Sequence, residues 1–191
     1  MIMSGPLEPT NSAYATAKIA GLELIRSIRK EFGKNFISSI SANAFGPYDD
    51  FQSEDAHVIS SLIRKVKAND DMNNQELSVW GTGKPVRDFI FSNDLADGLV
   101  FLMKNYNGDT PINISTGKGS SIKEVAEKIV EISNYSGRIN FDSTKPDGMP
   151  FKVLDNKEIK RLGWAPKTDF TDALKQTYEW YIDNIYEKKK D

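Results

Sequence analysis

Residues 12–46 read SAYATAKIAGLELIRSIRKEFGKNFISSISANAFG, and their order decides the fold class. Tyr14, Ala17, Ala20 with Gly21, Leu24 with Ile25, and Ile28 recur every three or four residues, the period of one helix face. Pro9, Thr10, Asn11 and Ser12 supply start signals and Gly33 a stop, so a helix is expected over Ser12–Phe32. The run Phe36–Ala42 mixes small and apolar residues, which suits a strand buried on both faces. Gly46-Pro47 breaks it. A helix leading into a buried strand belongs to an α/β fold with a parallel sheet.

Working outward, residues 44–55 (AFGPYDDFQSED) read as a polar, aromatic loop. His57–Lys67 reads as a second helix with Val58, Leu62 and Val66 on one stripe, and 68–75 as a solvated loop. Leu77–Trp80 and Val86–Phe91 read as two strands joined by the turn 81–85. Ser92 and Asn93 are expected to cap a helix over Asp94–Lys104. Ile112–Ser115 reads as a strand. Ser121 and Glu124 form a capping box that opens a helix to about Ile132. Arg138–Phe141 is expected as a strand, 143–150 as a loop, and Asp155 as the cap of a short helix ending at Gly163. Thr168–Asp183 is expected as the last helix, and the EKKKD end as a solvated tail. A doubly wound sheet needs several βαβ units before a nucleotide crevice exists. Only one strand follows the first helix before the pattern becomes irregular, so the chain reads as the back half of a larger unit.

Composition narrows the chemistry. Hydrophobic residues are 39% and charged residues 27% of 191, ordinary for a globular protein. Lys+Arg is 25 against Asp+Glu 27, a net charge of −2, so no overall field attracts nucleic acid or an anionic membrane. With no cysteine and one histidine, disulfides, thiolate nucleophiles and His-rich metal sites are excluded. The start MIMSGPLEPTNS has neither a basic segment nor an apolar run, and no 20-residue apolar stretch occurs, so a cytoplasmic setting is expected. The sequons at Asn113 and Asn134 then carry no meaning.

Tyr14 and Lys18 are four residues apart and share one helix face. An ammonium beside a phenol favours the phenolate, which suits proton transfer to a carbonyl or sugar hydroxyl. His57 follows an acidic loop at a helix start, and imidazole is the side chain that exchanges protons near neutrality. Arg87 can fork onto a diphosphate, and Trp80 can pack against a ring. The Gly turn 114–122 looks like a phosphate loop, but lacks both the third glycine of GxGxxG and the GxxxxGK[ST] spacing.

The segments GPLEPTNSAYATAKIAGLELIRSIRKEFG, SANAFGPYDDFQSEDAHVISSLIRK and SVWGTGKPVRDFIFSNDLADGLVFLM closely resemble the extended short-chain dehydrogenase/reductases, the NAD-dependent epimerase/dehydratase family. Within it the chain resembles the GDP-L-fucose synthases, and KPDGMPFKVLDNKEIKRLGWAPKTDFTDALKQTYEWY is similar to their C-terminal region. The resemblance covers nearly the whole chain. It implies a Rossmann-like doubly wound sheet, of which this chain is the C-terminal part, plus a small α/β substrate domain. Residues 1–56 would be the last helix–strand portion of the NADP-binding domain. Residues 57–191 would form the GDP-sugar domain, with elements returning to the sheet.

The resemblance also implies roles. Tyr14 would donate a proton in reduction, Lys18 would hold the nicotinamide ribose, and His57 would act as acid/base in epimerisation. Ser41, Ala42, Asn43 and Ala44 match the family's cofactor-lining segment, with Asn43 kept and its neighbours changed. NADP(H) is the implied cofactor, contacted by Tyr14, Lys18, Ser41–Ala44 and His57. Lys65, Trp80, Arg87 and Asp147 match positions at the GDP-sugar. Lys65 stands where the family usually has an arginine, a point charge in place of a fork. Phe151 replaces a usual basic residue. The implied chemistry is 3,5-epimerisation of GDP-4-keto-6-deoxymannose and then NADPH reduction at C4. The implied partners are a GDP-sugar, a second copy in a homodimer, and a separate chain carrying the N-terminal half. No GxxGxxG occurs in these residues, so little NADPH binding by this chain alone is expected. Two other readings stay open at this point: another nucleotide-sugar epimerase or dehydratase, and a non-catalytic module that binds a GDP-sugar or a partner chain.

Overall fold

The computed structural model describes residues 5–7, 9–53 and 56–189. Met1–Ser4, Glu8, Glu54, Asp55, Lys190 and Asp191 lie outside the described residues. The first residues of the sequence, the acidic end of the 44–55 loop and the last residues of the charged tail therefore fall outside the description.

Helix α1 spans Ser12–Phe32, and Gly33 ends it in the left-handed conformation at φ 60°. Glycine adopts that conformation without a Cβ penalty, which is why the helix stops there. No residue of α1 is buried. Its link to the rest is polar: Arg29 donates to the Phe36 carbonyl at 2.6 Å and to the Asn107 carbonyl at 2.9 Å.

The strand expected over Phe36–Ala42 forms later, as β1 (Ser39–Ser41) and β2 (Asn43–Phe45), separated by Ala42 alone. β1 is not buried on both faces: Ser39 and Ser41 are exposed and Ile40 is half-buried, because no helix covers that side among the described residues. The next elements are α2 (Val58–Asp71), β3 (Glu76–Trp80), β4 (Val86–Arg87), β5 (Phe89–Phe91) and α3 (Ser92–Asn105). Then come β6 (Ile112–Ile114), β7 (Ser120–Ser121), α4 (Ile122–Ser133), β8 (Arg138–Asp142) and β9 (Phe151–Lys152). The short α5 (Lys157–Arg161) and α6 (Phe170–Tyr181) complete the order, and α6 continues in a wider turn to Tyr186.

β1 pairs in parallel with β6, and β2 in parallel with β5. The chain from Ser39 to Phe45 therefore changes partner in mid-strand. Ala42 N–H still donates to Ile114 O at 2.9 Å, and Asn43 N–H already donates to Asp88 O at 3.0 Å. Two parallel strands part at that point, and open parallel sheets place their ligand crevices where the strand order changes.

The two strands around the Gly81–Pro85 turn do not pair as a hairpin. β3 pairs in parallel with β8, while β4 lies between β7, antiparallel, and β9, parallel. Asp147 latches the turn between them. The Asp147 carboxylate accepts from Thr82 N–H at 2.6 Å and from Thr82 Oγ1 at 2.8 Å. Gly81 is at φ 81°, and a Cβ there would sit 2.3 Å from Asp147 Oδ1, so a larger residue would push the latch apart.

Two apolar clusters hold the fold. One joins α2, α4 and α6 to β2, β3 and β5 through residues such as Leu62, Val66, Leu77, Phe89, Ile129 and Leu174. The other surrounds β6, with Ile90, Leu102, Ile159 and Trp164. The capping box at α4 is present: Ser121 Oγ accepts from Glu124 N–H, and Glu124 accepts from Ser121 N–H at 2.7 Å. Two expected caps differ. Ser92 and Asn93 lie inside α3, whose N-cap is Phe91 without a side-chain bond. α5 is capped in position by Asn156, while Asp155 accepts from Lys157 N–H at 2.9 Å just outside the helix. Among the described residues no helix is long and apolar enough to cross a membrane.

Candidate functional site

A cavity of about 300 Å³ opens beside the point where the strands part. β2 supplies Asn43, Ala44 and Phe45, and the start of α2 supplies His57, Val58 and Ile59. Trp80 ends β3, Arg87 lies on β4, and Asp147 comes from the loop before β9. Six residues chosen from sequence thus meet in one hollow: Asn43, Ala44, His57, Trp80, Arg87 and Asp147. Lys65 lines an adjoining cavity of about 560 Å³ that shares Val58, Trp80 and Ile122. Tyr14, Lys18, Ser41 and Ala42 line neither cavity.

Each side chain is placed by a local reason. His57 is the residue before α2, and its backbone carbonyl accepts from Ser61 N–H at 2.8 Å. Its imidazole is largely open to solvent, with Nδ1 at 3.6 Å from Asp49 Oδ1. Trp80 is 62% exposed although it ends a core strand. In β3 the alternate residues Leu77 and Val79 point into the core, so Ser78 and Trp80 point out. Two ammonium groups flank the indole: Lys65 Nζ at 5.7 Å and Lys145 Nζ at 5.6 Å from the ring centroid. Both are within cation–π range.

The cationic side of the site is partly desolvated. Burial favours the uncharged form of Lys65 and lowers its pKa, and the neighbouring Arg64 adds to that. Burial likewise lowers the Arg87 pKa, against a raising contribution from Asp147. Arg87 donates from one terminal nitrogen to the Val86 carbonyl at 3.0 Å, which leaves further guanidinium N–H groups for a ligand. Asp147 has its pKa lowered chiefly by the Thr82 N–H and hydroxyl bonds. Both of its oxygens are used in the latch, so its first task is to hold the loop.

Asn43 is engaged as well: its carboxamide donates from Nδ2 to the Asp88 carbonyl at 2.8 Å. Asp88 itself was not singled out from sequence. It is buried, and its carboxylate accepts from Thr116 Oγ1 at 2.6 Å and from the N–H groups of Thr116 and Gly117 at 3.2 Å. The Gly turn that looked like a phosphate loop thus spends its N–H groups on an internal carboxylate. Its only sequence signal was an aspartate before the apolar run Phe89–Phe91.

On α1, Lys18 Nζ lies 5.2 Å from the Tyr14 ring centroid, and Tyr14 is 59% exposed. The pair is assembled as the spacing predicts, on a helix face open to solvent. A separate apolar cavity of about 320 Å³ lies beyond Phe45 and Phe89, walled by Phe91 and Phe170. None of the residues chosen from sequence lines it. Among the described residues no group of three or more His, Cys, Asp or Glu side chains could hold a metal ion.

The cavity thus lies beside the parallel pairs of an α/β sheet. The family model described as the NAD dependent epimerase/dehydratase family matches residues 1–116, and the chain belongs to that family. A probable GDP-L-fucose synthase 1 of Oryza sativa subsp. japonica is 42% identical over 189 residues, covering 99% of this chain and 58% of the relative. A GDP-L-fucose synthase of Sinorhizobium fredii is 43% identical over 184 residues, 96% of this chain and 59% of the relative. Among solved structures, a GDP-L-fucose synthetase from Naegleria fowleri bound to NADP is similar with a TM-score of 0.88 and 35% identity, over 97% of this chain and 60% of that one. The chain spans about three fifths of the length of the relatives it matches.

Proposed function

We propose that this chain carries the GDP-sugar site and the acid–base side chains of an NADPH-dependent epimerase/reductase of the GDP-L-fucose synthase type. The observation that carries the reading is the single cavity holding His57, Trp80, Arg87 and Asp147. These came together from a helix start, two strands and a loop distant in sequence.

In this reading the guanidinium of Arg87 binds the diphosphate, with Lys65 and Lys145 adding charge at the Trp80 side. Trp80 covers a ring of the nucleotide sugar. His57 moves protons at the sugar carbons during epimerisation. Asp147 holds the loop against Thr82, so that Gly148 brings open backbone beside Arg87. Tyr14, with Lys18 one helical turn along, protonates the C4 oxygen as the sugar ketone is reduced. NADPH supplies the hydride when bound. Tyr14, Lys18, Ser41, Ala42, Asn43, Ala44 and His57 suit the nicotinamide end in chemistry: a phenol, an ammonium and small residues. No glycine-rich loop occurs here for the pyrophosphate. Residues 1–56 would belong to the NADP-binding domain and 57–191 to the substrate domain. The partners in this reading are a GDP-sugar, a second copy, and a segment equivalent to the part of the relatives that this chain does not match. A cytoplasmic setting suits such soluble nucleotide substrates.

The test has two arms. Calorimetry with GDP and GDP-mannose on the 191-residue chain should show weak binding that Arg87→Ala abolishes. Joined behind the unmatched segment of a relative, the chain should oxidise NADPH with GDP-4-keto-6-deoxymannose. Tyr14→Phe should slow that reduction by about a hundredfold or more, the scale of a lost general acid. Absence of turnover in the joined protein, or turnover indifferent to Tyr14→Phe, would refute the reading.

A further inference from the structure

His57 is not alone at the head of α2. Its Nδ1 faces Asp49 Oδ1 at 3.6 Å, and the Asp49 side chain is only 17% exposed. Asp49 Oδ1 also accepts from Asp50 N–H at 2.9 Å. The other oxygen, Oδ2, accepts from Ser60 Oγ, a residue with no exposed surface one turn into α2. The carboxylate is therefore tied to the helix that His57 begins. Its backbone is set with equal care. Tyr48, just before it, stands at φ 67°, a conformation that costs a non-glycine residue energy. The Tyr48 ring lies 4.7 Å from that of Trp180, and Asp49 N–H donates to Gly46 O at 3.4 Å. A strained residue held by a ring contact directs one carboxylate at one imidazole nitrogen.

We infer that Asp49 is the positioning residue of His57. It holds Nδ1 in the protonated form and so leaves the lone pair of Nε2 for the substrate cavity that His57 lines. The tautomer of a neutral imidazole is fixed by the partner of its other nitrogen. A carboxylate only accepts, so Nδ1 must carry the hydrogen. At 3.6 Å the pair lies slightly beyond hydrogen-bond reach, yet the field of a largely buried carboxylate at that distance favours the hydrogen on the nearer nitrogen. Ser60 acts one step further back, because its hydroxyl stops the carboxylate from turning away. This inference rests on the proposed acid–base role of His57.

The chain has one histidine, so its imidazole nitrogens give a single, unambiguous set of signals. Long-range proton–nitrogen NMR on untagged, ¹⁵N-labelled chain, at a pH where the imidazole is neutral, reads the tautomer directly. The wild type should show mainly the Nδ1–H form. Asp49→Ala should reverse the ratio toward Nε2–H, and Ser60→Ala should shift it partway in the same direction. Ser60→Ala keeps the carboxylate, so it decides the matter if Asp49→Ala does not fold. A wild type already in the Nε2–H form, or variants with an unchanged ratio, would overturn the inference. In the joined, active protein, Asp49→Ala should slow solvent-deuterium uptake into the sugar by about tenfold or more, with C4 reduction less affected. An inactive joined protein would count against the proposed function and leave the tautomer result standing on its own.

Discussion

Helices α1 and α2 look alike as sequence and differ completely as structure. Both carry an apolar stripe at helical spacing. In α2 the stripe is buried: Ile59, Leu62, Ile63 and Val66 face the main core, and Ser60 lies beside them. In α1 nothing is buried, and Leu24 and Phe32 are each 60% exposed. A helical period specifies which residues share a face. It does not specify what that face meets, because the opposing surface is encoded elsewhere. The two helices also divide the proposed chemistry: α1 bears Tyr14 and Lys18, and α2 begins at His57 and carries Lys65. The half with a core has a formed cavity, and the half without one has a correctly spaced pair facing solvent.

The largest effect that tests this contrast is a stability difference. Ile63→Ala in α2 should cost about 2–5 kcal/mol, the usual range for emptying a full core position. Leu24→Ala in α1 should change stability by less than about 0.5 kcal/mol, as surface substitutions do. Urea unfolding of both variants measures it. A costly Leu24→Ala would mean that α1 is covered in solution. Sedimentation at rising concentration would then show whether a second copy covers it.

The next effect is on ligands. GDP should bind the α2 half weakly, and Arg87→Ala should cost about 1.5–3 kcal/mol, the worth of a hydrogen bond to a charged group, or roughly ten- to a hundredfold in affinity. NADPH should show no comparable affinity, since α1 offers Tyr14 and Lys18 without a pyrophosphate cradle. Fluorescence titration with NADPH and calorimetry with GDP check the two sides. Tight NADPH binding by this chain would erase the distinction between the halves.

A smaller effect concerns how α1 is held. Arg29 joins it to the Phe36 carbonyl and to the Asn107 side chain and carbonyl, all near the surface. Arg29→Ala should speed amide hydrogen exchange across α1 and leave α2 and α4 unchanged. Helices with few buried contacts exchange through local opening, independently of the core. Equal acceleration in α2 would show the two helices to be one cooperative unit.

The same contrast explains what was legible in the sequence. Helix ends marked by local chemistry were readable: Gly33 in its left-handed turn, and Ser121 with Glu124. Tyr14 and Lys18 were readable because one helix turn brings them together. Strand partners were not. Nothing within Leu77–Phe91 says that Trp80 will pair beside Asp142 and Arg87 beside Lys152. Those partners lie far along the chain, and the surfaces that select them are encoded there. The roles of Asp88, Lys145 and Asp49 were hidden for the same reason, since each is defined by a residue distant in sequence or on the next element. His57, Trp80 and Arg87 were found through resemblance, and the cavity then gave them a common address.

The smallest effect is a pH dependence at that latch. Asp147 has its pKa depressed in the fold, first by the Thr82 N–H and then by the Thr82 hydroxyl, while Arg87 and Lys84 add favourable charge. A carboxyl with a depressed folded pKa contributes stability that is fully present above its unfolded value, near 3.8, and is lost as pH falls through the folded value. The latch should therefore be intact at neutral pH and open only in strong acid. The Thr82 amide proton reports it, since its NMR signal should stay constant down to about pH 4 and move below that. Asp147→Asn should bring the acid-like position at all pH values and loosen the loop beside Arg87, weakening GDP without unfolding the chain. The carboxylate is exposed, so solvent keeps the contribution to global stability small. A Thr82 signal that moves between pH 5 and 7 would show that the latch is weaker than its geometry implies.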